Sequence, residues 1–302
     1  MVFNQAVVAL LPLVPRPIVW RFSRRYIAGT SLEAALDLVQ GLNDQGMCAT
    51  LDLLGEDVTE RDPAIASRDM YLRAIEGITA RGLDCNASIK LSQMALRFDD
   101  ALCREIVWSL AEATSKVDNF LRIDMEDSSV TDATLDIYRA LREEHPASGT
   151  VIQACLKRSA ADVDALMAES AAPTHIRVCK GIYVEPPEIA YQGREEVRDS
   201  FNDIVQRLLR GNAARVAIAT HDPPLIESTR RWIESEGIDR DRVEYQMLLG
   251  VGESLRKPLL DAGYRLRIYV PFGEAWFAYS HRRLRENPQI AGHIVRNLFR
   301  PG

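Results

Sequence analysis

From residue 47 onward two hydrophobic rhythms alternate along the chain. Short apolar or alternating runs recur: MCATLDLL, CNASIKLS, FLRIDME, TVIQACL, HIRVCKG, RVAIAT, VEYQML and YRLRIYV. Between them lie longer segments with apolar residues at helical spacing, such as IASRDMYLRAIEGITARG and DDALCREIVWSLAEATSK. The runs start roughly every 25–40 residues, the length of one βα unit. Eight such units in about 250 residues predict an α/β fold, a (β/α)8 barrel over residues 47–302. Residues 1–46 are expected to form an N-terminal helical segment that packs on the barrel. Within it, TSLEAALDLVQGLNDQG reads as a helix opened by a capping box from Thr30 to Glu33 and stopped at Gly46. A doubly wound sheet is the alternative fold. It lacks support, because no G-x-G-x-x-G follows the first strand and GVG at Gly250–Gly252 is incomplete.

Composition narrows the class. Hydrophobic content of 47% and charged content of 26% suit a globular enzyme with a sizeable core. A net charge of −6 argues against nucleic acid as a partner. Cys48, Cys85, Cys103, Cys155 and Cys179 are widely spread and show no CxxC spacing, which fits free thiols in a reducing, cytoplasmic compartment. The run AVVALLPLVPRPIVW is too short to span a bilayer and is broken by prolines. Its expected role is packing on the core. The arginine-rich RFSRRY that follows leaves open a peripheral contact with the inner membrane surface.

A barrel gathers its chemistry at the C-terminal strand ends. Those positions carry Asp52, Lys90, Asp124, Gln153, Arg177 with Lys180, His221, Gln246 and Tyr269. Singly, Lys90 reads as a solvated strand end and His221 as a capping group; together they form a mouth rich in polar groups. After the eighth run, the stretch to Asn287 reads as a helix with Tyr279, Arg282, Arg283 and Glu286 on one face. That face is either a solvated salt-bridge stripe or a ligand face. Trp276, Phe277, Ser280 and Leu284 form the neighbouring face that packs down, with His281 and Arg285 left to solvent. Lys90, Arg177, Lys180, Arg282 and Arg283 outnumber the nearby acids, so anionic ligands such as carboxylates and phosphates are favoured. Metal ligation by RIDMED and a Schiff-base lysine at Lys90 or Lys180 are weaker alternatives. The carboxylates of GEDVTERD, after the first run, suggest a lid that pairs with Arg282 or Arg283.

The ordered motifs ATLDLLGE, SIKLS, RIDMED, VIQACLKR, IRVCKGIY, ATHD, YQMLLGVGE and RIYVPFGEAWFAYSHRRLREN resemble those of proline dehydrogenases, FAD-dependent enzymes of proline catabolism. The resemblance covers about residues 48–287 and fits the short monofunctional bacterial type. It implies a distorted barrel with FAD across its C-terminal mouth and L-proline stacked on the flavin. Proline would lose a hydride to give Δ1-pyrroline-5-carboxylate, and a quinone would accept the electrons. By the same resemblance Lys90, Arg282 and Arg283 hold the proline carboxylate. Leu248, Tyr269 and Tyr279 wall its ring, and Asp124 and Tyr269 are the active-site residues. Gln153, Arg177, Cys179, Lys180, Gly181, Ile182 and His221 fall where the family contacts FAD, with Glu286 near the adenosine half. Ile182 replaces a usual alanine, and Leu249 a usual tyrosine or histidine. Tyr269 would disfavour 4-hydroxyproline by leaving its hydroxyl unpaired. Two other readings remain: a lyase or aldolase on the same barrel, and a binding protein that kept the fold without the chemistry. The oligomeric state is left open.

Overall fold

The computed structural model describes residues 16–169, 174–211, 213, 215–277 and 279–280. Its eight strands are β1 (Cys48–Leu53), β2 (Cys85–Ile89), β3 (Leu121–Ile123), β4 (Ser148–Gln153), β5 (His175–Cys179), β6 (Arg215–Ala219), β7 (Val243–Leu248) and β8 (Arg265–Phe272). They run parallel and close into a barrel in chain order, β8 pairing with β1 through Leu51↔Val270 and its neighbours. Each strand coincides with one of the eight runs. These runs are short and rich in β-branched and apolar residues, as strands buried on both faces must be.

Helices return the chain between strands: α1 (Arg16–Ser23) and α2 (Leu32–Asn43) precede β1, and α3 (Arg61–Ala80), α4 (Asp100–Lys116), α5 (Thr131–Glu144), α6 (Ser159–Ala168), α7 (Arg194–Arg210), α8 (Pro223–Ser235) and α9 (Glu253–Asp261) follow successive strands. The start of α2 corrects the expected cap. Ser31, not Thr30, is the N-cap, and its side chain accepts the Ala34 N–H. Ser31 is the residue that adopts the extended backbone a cap needs (φ −105°, ψ 152°). Gly46 lies past the end of the helix with φ +77°, a left-handed turn that glycine adopts without steric penalty.

Alternation along each strand sorts residues between two layers. On β7, Tyr245 points outward and its hydroxyl meets Thr229 of α8 at 3.1 Å. Glu244 and Gln246 point the other way, into the barrel. The outer layer is the apolar core, with Leu36, Tyr71, Ile78, Tyr138 and Phe201 almost wholly buried. The barrel interior is unusually polar: Ser88, Arg122, Arg177, Glu244, Gln246 and Arg267 are all buried there.

Among the described residues, the stretch before β1 lies against the barrel. Ala28 N–H donates to Pro271 O at 2.9 Å, and Gly273 N–H to Gly29 O at 3.0 Å. Ile27 and Leu54 pack with Tyr279, and Trp20 meets Trp276 edge-on at 4.8 Å. No helix among the described residues is long and apolar enough to cross a membrane.

Candidate active site at the C-terminal mouth of the barrel

A cavity of about 330 Å³ opens at the C-terminal ends of the strands. Its lining includes Lys90, Asp124, Gln153, Arg177, Cys179, Lys180, Gly181, Ile182, His221, Leu248, Tyr269 and Tyr279. The fold therefore brings together these sequence-predicted residues from separate strands. Arg282, Arg283 and Glu286 lie outside the described residues, as do Leu284, His281 and Arg285.

Two buried ion pairs organise the floor. Lys90, at the end of β2, donates its ammonium to Asp52 on β1. Burial works against the charge on Lys90, yet Asp52, then Asp124 and Glu126, hold it above the ordinary lysine range. Arg177 donates from Nη1 to Asp124 Oδ1 at 2.6 Å. Asp124 also accepts from Ser88 Oγ at 2.7 Å and Tyr269 OH at 2.6 Å. Burial opposes ionisation of Asp124, but Arg177, Lys90 and the two hydroxyl donors keep it below the usual carboxylate range. Burial and the charges of Asp124 and Asp52 push the Tyr269 phenol well up, so it stays a proton donor. The Arg177 guanidinium also lies 5.3 Å from the Tyr269 ring centroid.

The side of the mouth formed by β4, β5 and β6 offers donors. Lys180 Nζ donates to Asp222 at 2.8 Å, and Arg198 grips the same carboxylate through Nε at 3.0 Å and Nη2 at 2.8 Å. Those hydrogen bonds, Arg198's first, hold Asp222 down to about 2 against its burial. An ammonium carries three donors, so among the described residues Lys180 keeps two beyond the one given to Asp222. Arg177 Nη2 likewise has no partner among the described residues. Gln153 donates to Glu126 O at 2.8 Å, which aims its amide. His221 Nε2 accepts the Leu248 N–H at 2.8 Å; that network assigns the ring proton to Nδ1. At Gly181 φ is +96°, and a Cβ there would stand 2.3 Å from Cys155 Sγ. The backbone can thus lie close to a ligand only with glycine at this position.

Glu126 borders the cavity, but its carboxylate is taken up by Ser92, accepting from its N–H at 2.9 Å and from its hydroxyl. In the loop after β1, Asp57 is already paired with Arg97 Nε at 2.6 Å. Among the described residues no group of His, Cys, Asp and Glu is arranged to hold a metal ion. Ser88 and Asp222, the partnership of Asp52 with Lys90, and any role for Gln246 beyond a strand end emerge only in the structure. The in-phase spacing of Asp52 with Thr50, and of Gln246 with Glu244, was the available signal, since both pairs share an inward face.

The chain matches the family model described as proline dehydrogenase over residues 35–296. It is 34% identical over 310 residues to the proline dehydrogenase of Deinococcus radiodurans, covering 97% of each chain. It is 33% identical to proline dehydrogenase 1 of Bacillus subtilis strain 168, covering 92% of this chain and 91% of that one. A solved structure of proline utilization A from Bdellovibrio bacteriovorus superposes with a TM-score of 0.82 at 24% identity. It covers 91% of this chain, which spans about a third (34%) of that longer protein; at this identity the likeness shows the barrel fold alone.

Proposed function

The chain belongs to the proline dehydrogenase family, and from that premise we propose that it oxidises L-proline to Δ1-pyrroline-5-carboxylate with FAD, passing the electrons to a quinone. As an oxidoreductase of this family it acts in proline catabolism; the cofactor, acceptor, product and residue roles are our reading. The observation that supports it most is a cation fixed at the floor of an aromatic-walled slot. Lys90 sits on Asp52, and Tyr269, Tyr279 and Leu248 line the same cavity. A small ring bearing a carboxylate has the matching shape and charge.

The residues present also suit FAD. Arg177 Nη2 and the spare hydrogens of Lys180 are donors that a flavin and its phosphates can use. Gly181 leaves the backbone bare beside them. Gln153, Cys179, Ile182 and His221 border the same space. When bound, the flavin supplies the hydride acceptor. The chain's own residues then have separable tasks. Lys90, with Arg282 and Arg283, holds the carboxylate. Leu248, Tyr269 and Tyr279 exclude water from the ring. Asp124, kept ionised, fixes Arg177 and Tyr269, so a cation stands where negative charge grows during reaction. Glu286 is assigned to the adenosine half.

The lyase alternative needs a neutral lysine. Lys90 is instead held charged by three carboxylates, which disfavours it as a nucleophile. Peripheral contact with a membrane surface through the exposed Arg21 in α1 and Arg24 and Arg25 just after it belongs to the same proposal. Product identity tests the reading. Incubated with L-proline and a quinone, the enzyme should form one Δ1-pyrroline-5-carboxylate per quinol. A different product, or none, rejects it.

A further inference from the structure

Beneath the mouth, a chain of polar groups crosses the barrel interior toward its opposite end, buried except at Arg265, which is partly exposed. Arg265 donates from Nε to Glu244 Oε2 at 3.0 Å, and Arg267 from Nε to Glu244 Oε1 at 2.8 Å. Gln246 Nε2 donates to Glu244 Oε1 at 2.6 Å. The other end of that amide, Gln246 Oε1, accepts from Arg177 Nε at 2.5 Å. Arg177 then donates to Asp124. Glu244 is 3% exposed, Gln246 4% and Arg177 6%, so water does not substitute for these links.

The direction of the chain is not free. A guanidinium can only donate, and an ionised carboxylate can only accept. Gln246 stands between one of each, so its amide has a single satisfactory orientation: oxygen to Arg177, nitrogen to Glu244. The charges facing this chain come from several strands. They are Glu244 on β7, Arg265 and Arg267 on β8 with Asp84 before β2 paired to them, Arg177 on β5, Arg122 on β3, Asp124 just past β3, and Lys90 after β2. Arg122 repels Arg177 and attracts Glu244. The guanidinium of Arg177 is thus held from one side by Asp124 and from the other by Gln246. Without Gln246, Arg177 Nε would be a buried donor with no acceptor, and the group would be free to turn about its remaining bonds to Asp124 and Ser88.

We propose that Gln246 is a positioning residue for this site: its amide, aimed by Glu244, fixes the guanidinium of Arg177 that faces the bound cofactor. The proposal rests on the flavin reading above, but one of its two tests does not. The first readout is the solvent-exchange rate of the Arg177 Nε–H, followed by nitrogen-labelled arginine NMR of the full-length protein. The second is the midpoint potential of the bound flavin without substrate.

Two substitutions separate positioning from plain stability. Gln246→Met keeps the volume and removes the acceptor. Gln246→Glu restores an acceptor for Arg177 but sets a second carboxyl against Glu244, so it should be the less stable variant. A structural role would rank Gln246→Glu as the more damaged in Nε–H exchange as well. Positioning predicts the opposite order. Gln246→Met should speed the Nε–H exchange about tenfold and lower the flavin-reduction equilibrium about tenfold, or about 30 mV for two electrons. In Gln246→Glu the Nε–H exchange should stay within about threefold of the parent while the protein unfolds at lower temperature; the potential is compared only for Gln246→Met, because an added carboxylate beside Arg177 lowers it directly. Should Gln246→Glu fail to fold, the swap Glu244→Gln with Gln246→Glu removes the repulsion and carries the same expectation. An unchanged Nε–H exchange and potential in Gln246→Met overturns the inference, as does an Nε–H exchange in Gln246→Glu, or in the swap in its place, that is as fast as in Gln246→Met. A protein that takes up no flavin fails the functional reading instead, and the exchange rate alone then decides this one.

Discussion

Arg177 on β5 and Asp124, just past β3, form a buried ion pair, 2.6 Å from Nη1 to Oδ1, although β5 and β3 are not neighbours in the sheet. The pair therefore spans the barrel interior, and it ties the donor side of the mouth to the slot walled by Tyr269. Removing one partner strands the other. Asp124→Ala should destabilise the fold by about 3–5 kcal/mol, because it leaves a buried guanidinium unpaired. Adding Arg177→Met should recover part of that loss. Denaturant unfolding of both singles and the double measures the coupling. Additive losses would mean that the two groups do not act as a pair.

Lys90 is the cation assigned to the substrate carboxylate. Lys90→Met should weaken L-proline binding by about 10- to 150-fold, the worth of a charge-assisted hydrogen bond. Because Asp52 is buried and loses its partner, stability should fall as well. Asp52→Asn with Lys90→Met should restore stability without restoring affinity. The checks are the Michaelis constant for proline and the melting temperature. Recovery of both together would place Lys90 in folding rather than in binding.

Gly181→Ala combines left-handed backbone with a collision at Cys155 Sγ. A non-glycine residue in a sparsely populated region costs about 1–3 kcal/mol. Cofactor retention should drop more than stability, since the bare backbone faces the cavity. Adding Cys155→Ala should relieve the collision but not the φ strain, so recovery should be partial. Full recovery in the double variant, read as flavin bound per chain, would show that space alone was at stake.

Acid should undermine the barrel interior first. Burial opposes the charge of Glu244, but Arg267, Gln246 and Arg265 hold it down to about 2. A depressed folded value contributes stability that is present above the unfolded value and is lost as pH falls through the folded one. For a glutamate that window runs from about 4.3 downward, and the contribution is on the order of 3 kcal/mol. Asp222, also held to about 2, adds in the same direction. Glu244→Gln should flatten the acid limb of the stability curve between about pH 4.3 and 2. An unchanged slope would mean that Glu244 is not ionised in the folded protein.

The strand positions were legible because short apolar or alternating runs recur at the spacing of a βα unit between longer helical patterns. The polar strand ends marked Lys90, Asp124, Gln153, Arg177, Lys180, His221 and Tyr269, and all of them border one cavity. What sequence could not give was who holds whom. Lys90 meets Asp52 from 38 residues away, and Arg177 meets Gln246 from 69. Such pairings depend on barrel closure, not on spacing. The exchange of Thr30 for Ser31 at the cap of α2 shows the same limit locally. Either residue has the capping hydroxyl, and the entry angle of the chain chooses between them.

The central claim is that this mouth brings L-proline to a flavin. The most direct measurement is the visible spectrum of the FAD-loaded protein, titrated with L-proline in the absence of oxygen. The account predicts loss of the oxidised-flavin band with one proline consumed per flavin, and its return on adding a quinone. NAD should not restore the band, because the sequence holds no G-x-G-x-x-G fingerprint. A flavin band that L-proline leaves untouched, or a protein that takes up no flavin at all, would contradict it.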